Sequence, residues 1–115
     1  MPNLVLEYSN SVEERVNVQG LLEDLHQVMI ESGLFDVLTV KSRTLRCHHW
    51  LIGDQADSED FIYISVEVMS GYSAEQKQAL SQQLMQVLGS QTGQVRSLSV
   101  SIRELDQACF RSVMH

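Results

Sequence analysis

A chain of 115 residues is one ordinary domain, spanning 1–115, with no room for a second core; its 43% hydrophobic and 20% charged content fits a compact globular protein. Eight Lys plus Arg against fifteen Asp plus Glu leave a formal net charge of −7, which repels phosphate backbones and argues against a nucleic-acid partner, while an anionic small molecule responds to the local field of a pocket. No apolar run reaches the ~20 residues of a membrane helix, and Glu7, Glu13 and Glu14 interrupt the N-terminus where a secretory leader would be apolar, so a cytoplasmic protein without a membrane partner is expected.

Leu4, Leu6 and Tyr8 alternate with Val5 and Glu7, which predicts a first strand starting directly after Pro2. Val18, Leu21, Leu22, Leu25, Val28 and Met29 then recur at three- and four-residue spacing. They form one apolar helical stripe, with Asn17 placed to cap it and Gly33 to end it. Leu34 to Leu51 reads as a long extended segment, β-branched at Val37, Thr39, Val40 and Thr44. Gly53 to Asp60 is polar and turn-like. Phe61 to Met69 is the strongest strand signal, with Ile62, Ile64, Val66 and Val68 on one face. Ser73 and Gln76 have capping-box spacing ahead of a second helix lined by Leu80, Leu84, Val87 and Leu88, which Gly89 is placed to stop. Leu98, Val100 and Ile102 alternate with Ser97, Ser99, Ser101 and Arg103 in a half-buried last strand, and the tail from Asp106 is too short to classify.

A helix of about fifteen residues between two strands suits a right-handed parallel crossover. Two such units predict an α+β fold: a tandem β-α-β repeat forming a four-stranded mixed sheet with both helices on one face. The other face would carry Phe61, Tyr63, Ser65 and Glu67 beside Ser97, Ser99 and Ser101. It is partly apolar and no helix remains to cover it, so self-association through that face is expected.

Several constellations read as structural. In a strand, Cys47 and His49 face one side and His48 the other, so these neighbours cannot chelate one ion together. No metal or cofactor is expected. Cys47 and Cys109, without a secretory signal, read as reduced and buried. Cys109 has only Arg111 nearby and no base, His26 reads as a helix-flank residue, and Trp50 as a packing or interface anchor. Gly53 and Gly71 read as turn glycines, and no glycine-rich phosphate loop is present.

Met1-Pro2, a strand starting at once, and two β-α-β units in this length resemble the tautomerase superfamily. The opening Pro2-Asn-Leu-Val-Leu-Glu-Tyr-Ser9, the segment Ser32-Gly-Leu-Phe35, Ser42-Arg43 and Trp50 look most like the 5-carboxymethyl-2-hydroxymuconate isomerase family, and Gly71-Tyr-Ser73 leading into Glu75-Gln-Lys resembles the start of its second helix. The resemblance covers nearly the whole chain and is clearest over residues 2–50. It implies a homotrimer with the sheets wrapped into a central barrel. It also implies a proline general base that moves a proton within a small unsaturated keto or enol acid, in aromatic catabolism.

Chemistry suits that role. Removal of Met1 would free a ring amine on a rigid strand, with no side-chain rotamers to freeze. Burial or a nearby cation would bring such an amine toward neutrality, where a proton shuttle works best. The bland alternative is a proline that merely starts an edge strand, where its missing N–H costs nothing. Where the family carries an arginine before Ser-Arg, this chain has Lys41, which keeps the charge but loses the two-pronged grip on a carboxylate. Where the family carries an arginine ahead of the helix-opening serine, it has Tyr72, which supplies a hydrogen bond and no charge. Arg43 matches, and an extended strand puts it on the same face as Lys41. The bland reading of this pair is a solvated strand edge or an intersubunit ion pair. Pro2 is thus the candidate catalytic residue and Lys41, Arg43 and Tyr72 the candidate substrate-binding ones. A non-catalytic trimeric relative, keeping the fold for ligand binding or assembly, is the competing reading.

Overall fold

The first strand, β1 (Asn3–Ser9), lies in the interior of the sheet, not at its rim. The computed structural model describes residues 2–54 and 59–115. After β1 come α1 (Val18–Glu31), β2 (Lys41–Cys47), β3 (Phe61–Met69), α2 (Ala74–Gln91) and β4 (Ser97–Leu105). The sheet order is β2-β1-β3-β4. β1 runs parallel to β2 and β3 parallel to β4, while β1 and β3 are antiparallel. Each parallel pair is one β-α-β unit, and the antiparallel seam joins the two units into a mixed sheet.

Strand alternation decides which face each residue takes. Leu4 and Leu6 on β1 and Ile62, Ile64, Val66 and Val68 on β3 are buried in one cluster with Leu21, Leu25 and Met29 of α1 and Leu80, Leu84 and Leu88 of α2. Both helices therefore cover the same sheet face, as the periodicity predicts. Burying one such leucine is worth about 2 kcal/mol, so this single layer supplies most of the drive to fold. The opposite face carries Val5, Glu7, Tyr63, Ser65 and Ser99, with Tyr63 41% and Leu45 47% exposed.

Caps fix the helix starts. The Asn17 side chain accepts from the Gly20 N–H, and Ser73 and Gln76 make the reciprocal capping box. Gly33, at φ 74°, turns the chain just past α1. The predicted stop at Gly89 is overrun: α2 continues to Gln91, because one glycine costs only about 1 kcal/mol in a helix anchored by buried Leu84 and Leu88 just before it. The predicted extended run from Leu34 is shorter too. Asp36 accepts from the Leu38 N–H and starts a 3₁₀ turn over Val37–Thr39, so the strand begins only at Lys41. A 3₁₀ turn also forms over Asn10–Glu14, and another over Gln107–Cys109 in the tail. Of the predicted turn Gly53–Asp60, residues 55–58 lie outside the described residues, as does Met1.

At the end of the sheet remote from Pro2, two polar clusters hold the chain. Buried Asp60 pairs with Arg15 Nη1 at 2.7 Å and accepts from Ser11 Oγ, while its carbonyl accepts from the Ser97 N–H at 3.2 Å. Tyr8 donates to Glu13 Oε1 at 2.6 Å, and Arg46 Nε lies 2.7 Å from the same oxygen.

Candidate active site

The parallel pairing of β1 with β2 brings the backbone of Pro2 beside that of Lys41. Pro2 is buried at the head of β1, and its carbonyl accepts from the Lys41 N–H at 3.2 Å. It shares the alternation of Leu4 and Leu6, so its ring lies on the helix side of the sheet. The edge-strand reading of Pro2 fails, since β1 is flanked by β2 and β3; the missing N–H is tolerated because Pro2 precedes the first strand residue.

Lys41 and Arg43 stand opposite Asn3 and Val5 on the face away from the helices, both exposed. With Ser42 alone between them, the two stand roughly 7 Å apart along the strand, a spacing that suits two anionic groups of one small molecule. Neither makes an ion pair among the described residues. β2 is a sheet edge, as the bland reading of this pair supposes, and the same exposure leaves both cations open to an anion.

Tyr72 is placed differently. Its ring packs edge-on against Phe35, with centroids 5.5 Å apart and planes at 71°, and it borders the helix-side core. Its hydroxyl donates to the Leu34 carbonyl at 3.2 Å. The single phenolic proton thus ties the turn after β3 to the turn after α1. Tyr72 shares the Pro2 end of the sheet but not the face of Lys41 and Arg43.

Register reveals neighbours that spacing along the chain does not. Lys41, Asn3, Glu67 and Arg103 form one row across the four strands on the open face. With strands about 4.8 Å apart, Lys41 and Arg103 are separated by roughly 14 Å, too far for one carboxylate to bridge within a protomer. The only sequence clue to Arg103 is its place in the Ser97–Ser101 alternation.

At the other end of that face lies a cleft of about 410 Å³, bordered by Glu7, Cys47, Trp50, Phe61 and Tyr63. Cys47 Sγ is 3.8 Å from Glu7 Oε2, and burial followed by the nearby carboxylate pushes its thiol up from the usual value. Cys47 is therefore a poor nucleophile. Neither cysteine is buried as expected: Cys47 is half-buried at the end of β2, and Cys109 is exposed because the tail after β4 leaves the core; both are free. Trp50 donates from Nε1 to the Glu59 carbonyl at 2.7 Å, an anchor of the kind expected. His26 is more than a flank residue, since its Nδ1 lies 2.7 Å from Ser42 Oγ on β2.

The family model for 5-carboxymethyl-2-hydroxymuconate isomerase matches residues 2–111. The chain belongs to the 5-carboxymethyl-2-hydroxymuconate isomerase family. It is 21% identical over 110 residues to the 5-carboxymethyl-2-hydroxymuconate Delta-isomerase of Escherichia coli, covering 91% of this chain and 87% of that one. Its fold is similar to the crystal structure of a 5-carboxymethyl-2-hydroxymuconate isomerase from Deinococcus radiodurans R1, with a TM-score of 0.90, 24% identity, and 99% and 90% of the two chains covered. It is also similar to a fused 4-OT wild type symmetric trimer, at a TM-score of 0.65 and 15% identity over 92% of this chain and 87% of that one. The tautomerase fold expected from the opening residues is the fold observed, and the family indicates isomerase activity of the tautomerase kind.

Proposed function

We propose that this isomerase moves a proton within a small unsaturated 2-hydroxy or 2-keto acid, with the amine of Pro2, freed by removal of Met1, as general base. In this reading the amine takes a proton from the enol oxygen or from one carbon. The resulting dienolate is held by cations, and the same proton returns to another carbon. No co-reactant is consumed. The observation that carries the reading is the backbone pairing of Pro2 with Lys41: the Pro2 carbonyl accepts from the Lys41 N–H, so the start of β1 adjoins the strand segment that presents the exposed cations Lys41 and Arg43 on the other sheet face. Burial disfavours the ammonium form and so favours a base that can return its proton. Lys41 and Arg43 then bind the substrate carboxylates and the developing oxyanion. Tyr72 lies at the same end of the sheet, with its hydroxyl proton given to the Leu34 carbonyl.

The same reading takes residues 1–115 as a single cytoplasmic domain that assembles as a homotrimer through the open sheet face, where Leu45 and Tyr63 are partly exposed. The fused 4-OT trimer supports that assembly by analogy of fold. The 5-carboxymethyl-2-hydroxymuconate of the family's name is one candidate substrate. Lysine at position 41 and an uncharged residue at 72 favour a smaller or less highly charged acid.

A second reading, a trimeric relative that binds a ligand without turnover, draws on the commitment of the Tyr72 hydroxyl to the Leu34 carbonyl. Intact mass of the protein from cells separates the two, since a retained Met1 would leave Pro2 an amide without basicity. With Met1 absent, ketonisation of 2-hydroxymuconate or phenylenolpyruvate, followed by ultraviolet absorbance, is expected to slow by about 100-fold or more in Pro2→Ala. A variant as fast as the wild type rejects Pro2 as the base.

A further inference from the structure

We infer that His26 is a positioning residue: through Ser42 it holds the strand segment that carries the two substrate-binding cations. This rests on the proposed role of Lys41 and Arg43. Ser42 lies between them in sequence and, by strand alternation, points to the opposite face of the sheet. There its Oγ is 2.7 Å from Nδ1 of His26 on α1, a half-buried hydrogen bond that either partner can donate.

The segment needs such a tie. β2 is an edge strand, hydrogen-bonded on one side only, to β1. Its residues on the helix face are Ser42, Thr44 and Arg46, none of them able to anchor in the apolar core as Ile62, Ile64 and Val66 do on β3. Above the segment, Val40 is buried; at its far end, Arg46 pairs with Glu13. Between these two points the His26–Ser42 bond is the side-chain tie to α1. It lies directly behind Lys41 and Arg43, and Lys41 is in turn bonded through its N–H to the Pro2 carbonyl. Loosening the bond lets the edge strand shift relative to Pro2. The two cations then meet a bound anion less well, while the proton-transfer group itself is untouched.

The test uses the intact protein. His26→Ala and Ser42→Ala are each expected to raise KM for 2-hydroxymuconate at least fivefold with kcat changed by less than twofold. Their double variant should be no worse than either alone, because the two side chains act as one unit. His26→Asn, which can still bond Ser42 Oγ, is expected to restore most of the lost affinity. Hydrogen exchange of the amides in residues 41–47 should quicken severalfold in both alanine variants and recover in His26→Asn, a readout independent of turnover. Should His26→Ala fail to fold, the smaller Ser42→Ala change carries the test. Wild-type KM in both alanine variants, alongside a raised KM in Lys41→Ala, overturns the positioning role and leaves the reading of the cations standing. If Lys41→Ala and Arg43→Ala also keep the wild-type KM, the cation reading fails and this inference fails with it. Unchanged exchange across residues 41–47 in Ser42→Ala overturns it too.

Discussion

Tyr8 shows how one residue couples the fold to its solvent. Burial first, then the hydrogen bond and charge of Glu13, push its phenol up from 10.0 to about 12, with Arg46 partly offsetting them. Below pH 10 the phenol is protonated in both folded and unfolded chains, so its contribution to stability is complete. Between pH 10 and about 12 the unfolded chain ionises while the native one does not, and stability falls as pH rises through that window. Urea unfolding at pH 9 and pH 11 should show this loss, and Tyr8→Phe should reduce it. At this same scale the candidate site was half legible. Pro2, Lys41 and Arg43 follow from the resemblance to the isomerase family, and the parallel register brings the backbones of the first two together. Tyr72 was named from the same comparison of motifs. Spacing could not disclose that its proton goes to Leu34, 38 residues away, or that His26 reaches Ser42 across 16.

Elements were legible where local chemistry settles them. Asn17, Ser73 and Gln76 announce helix starts because a side-chain oxygen three residues ahead of an unpaired N–H satisfies it wherever the chain is. Replacing Ser73 by Ala is expected to lower stability by about 1 kcal/mol. In urea denaturation this should appear as a lower midpoint with an unchanged slope, since the surface exposed on unfolding stays the same. The ends were harder. Gly89 does not stop α2 because Leu88 is buried, and packing outweighs a single glycine. The strand read from Leu34 starts late because Asp36 bonds the Leu38 N–H and turns the backbone first.

For the whole molecule, the open sheet face is the feature with most consequence. Val5, Leu45 and Tyr63 sit there with no helix among the described residues to cover them, and Lys41, Glu67 and Arg103 form a charged row at the Pro2 end. If three copies share this face, the wild type elutes as a trimer by size exclusion with light scattering. Tyr63→Glu should then dissociate it, because assembly would bury an unpaired carboxylate in the shared face of every copy. A wild type that runs as a monomer would contradict the trimer, and a variant that stays trimeric would place the interface elsewhere.

By itself the sequence determined the number and kind of elements, the helix caps and the two faces of the strands. Each of these depends on residues within a turn or two of each other, where periodicity and hydrogen-bonding chemistry act directly. Tertiary structure alone decided the order β2-β1-β3-β4, the burial of Pro2 at the head of an interior strand and the cross-strand row from Lys41 to Arg103. It also decided the ties of Tyr72 and His26. Those depend on which strand lies beside which. Strand order is set by burying both helical stripes against one sheet face, a condition on the whole chain that no local segment carries.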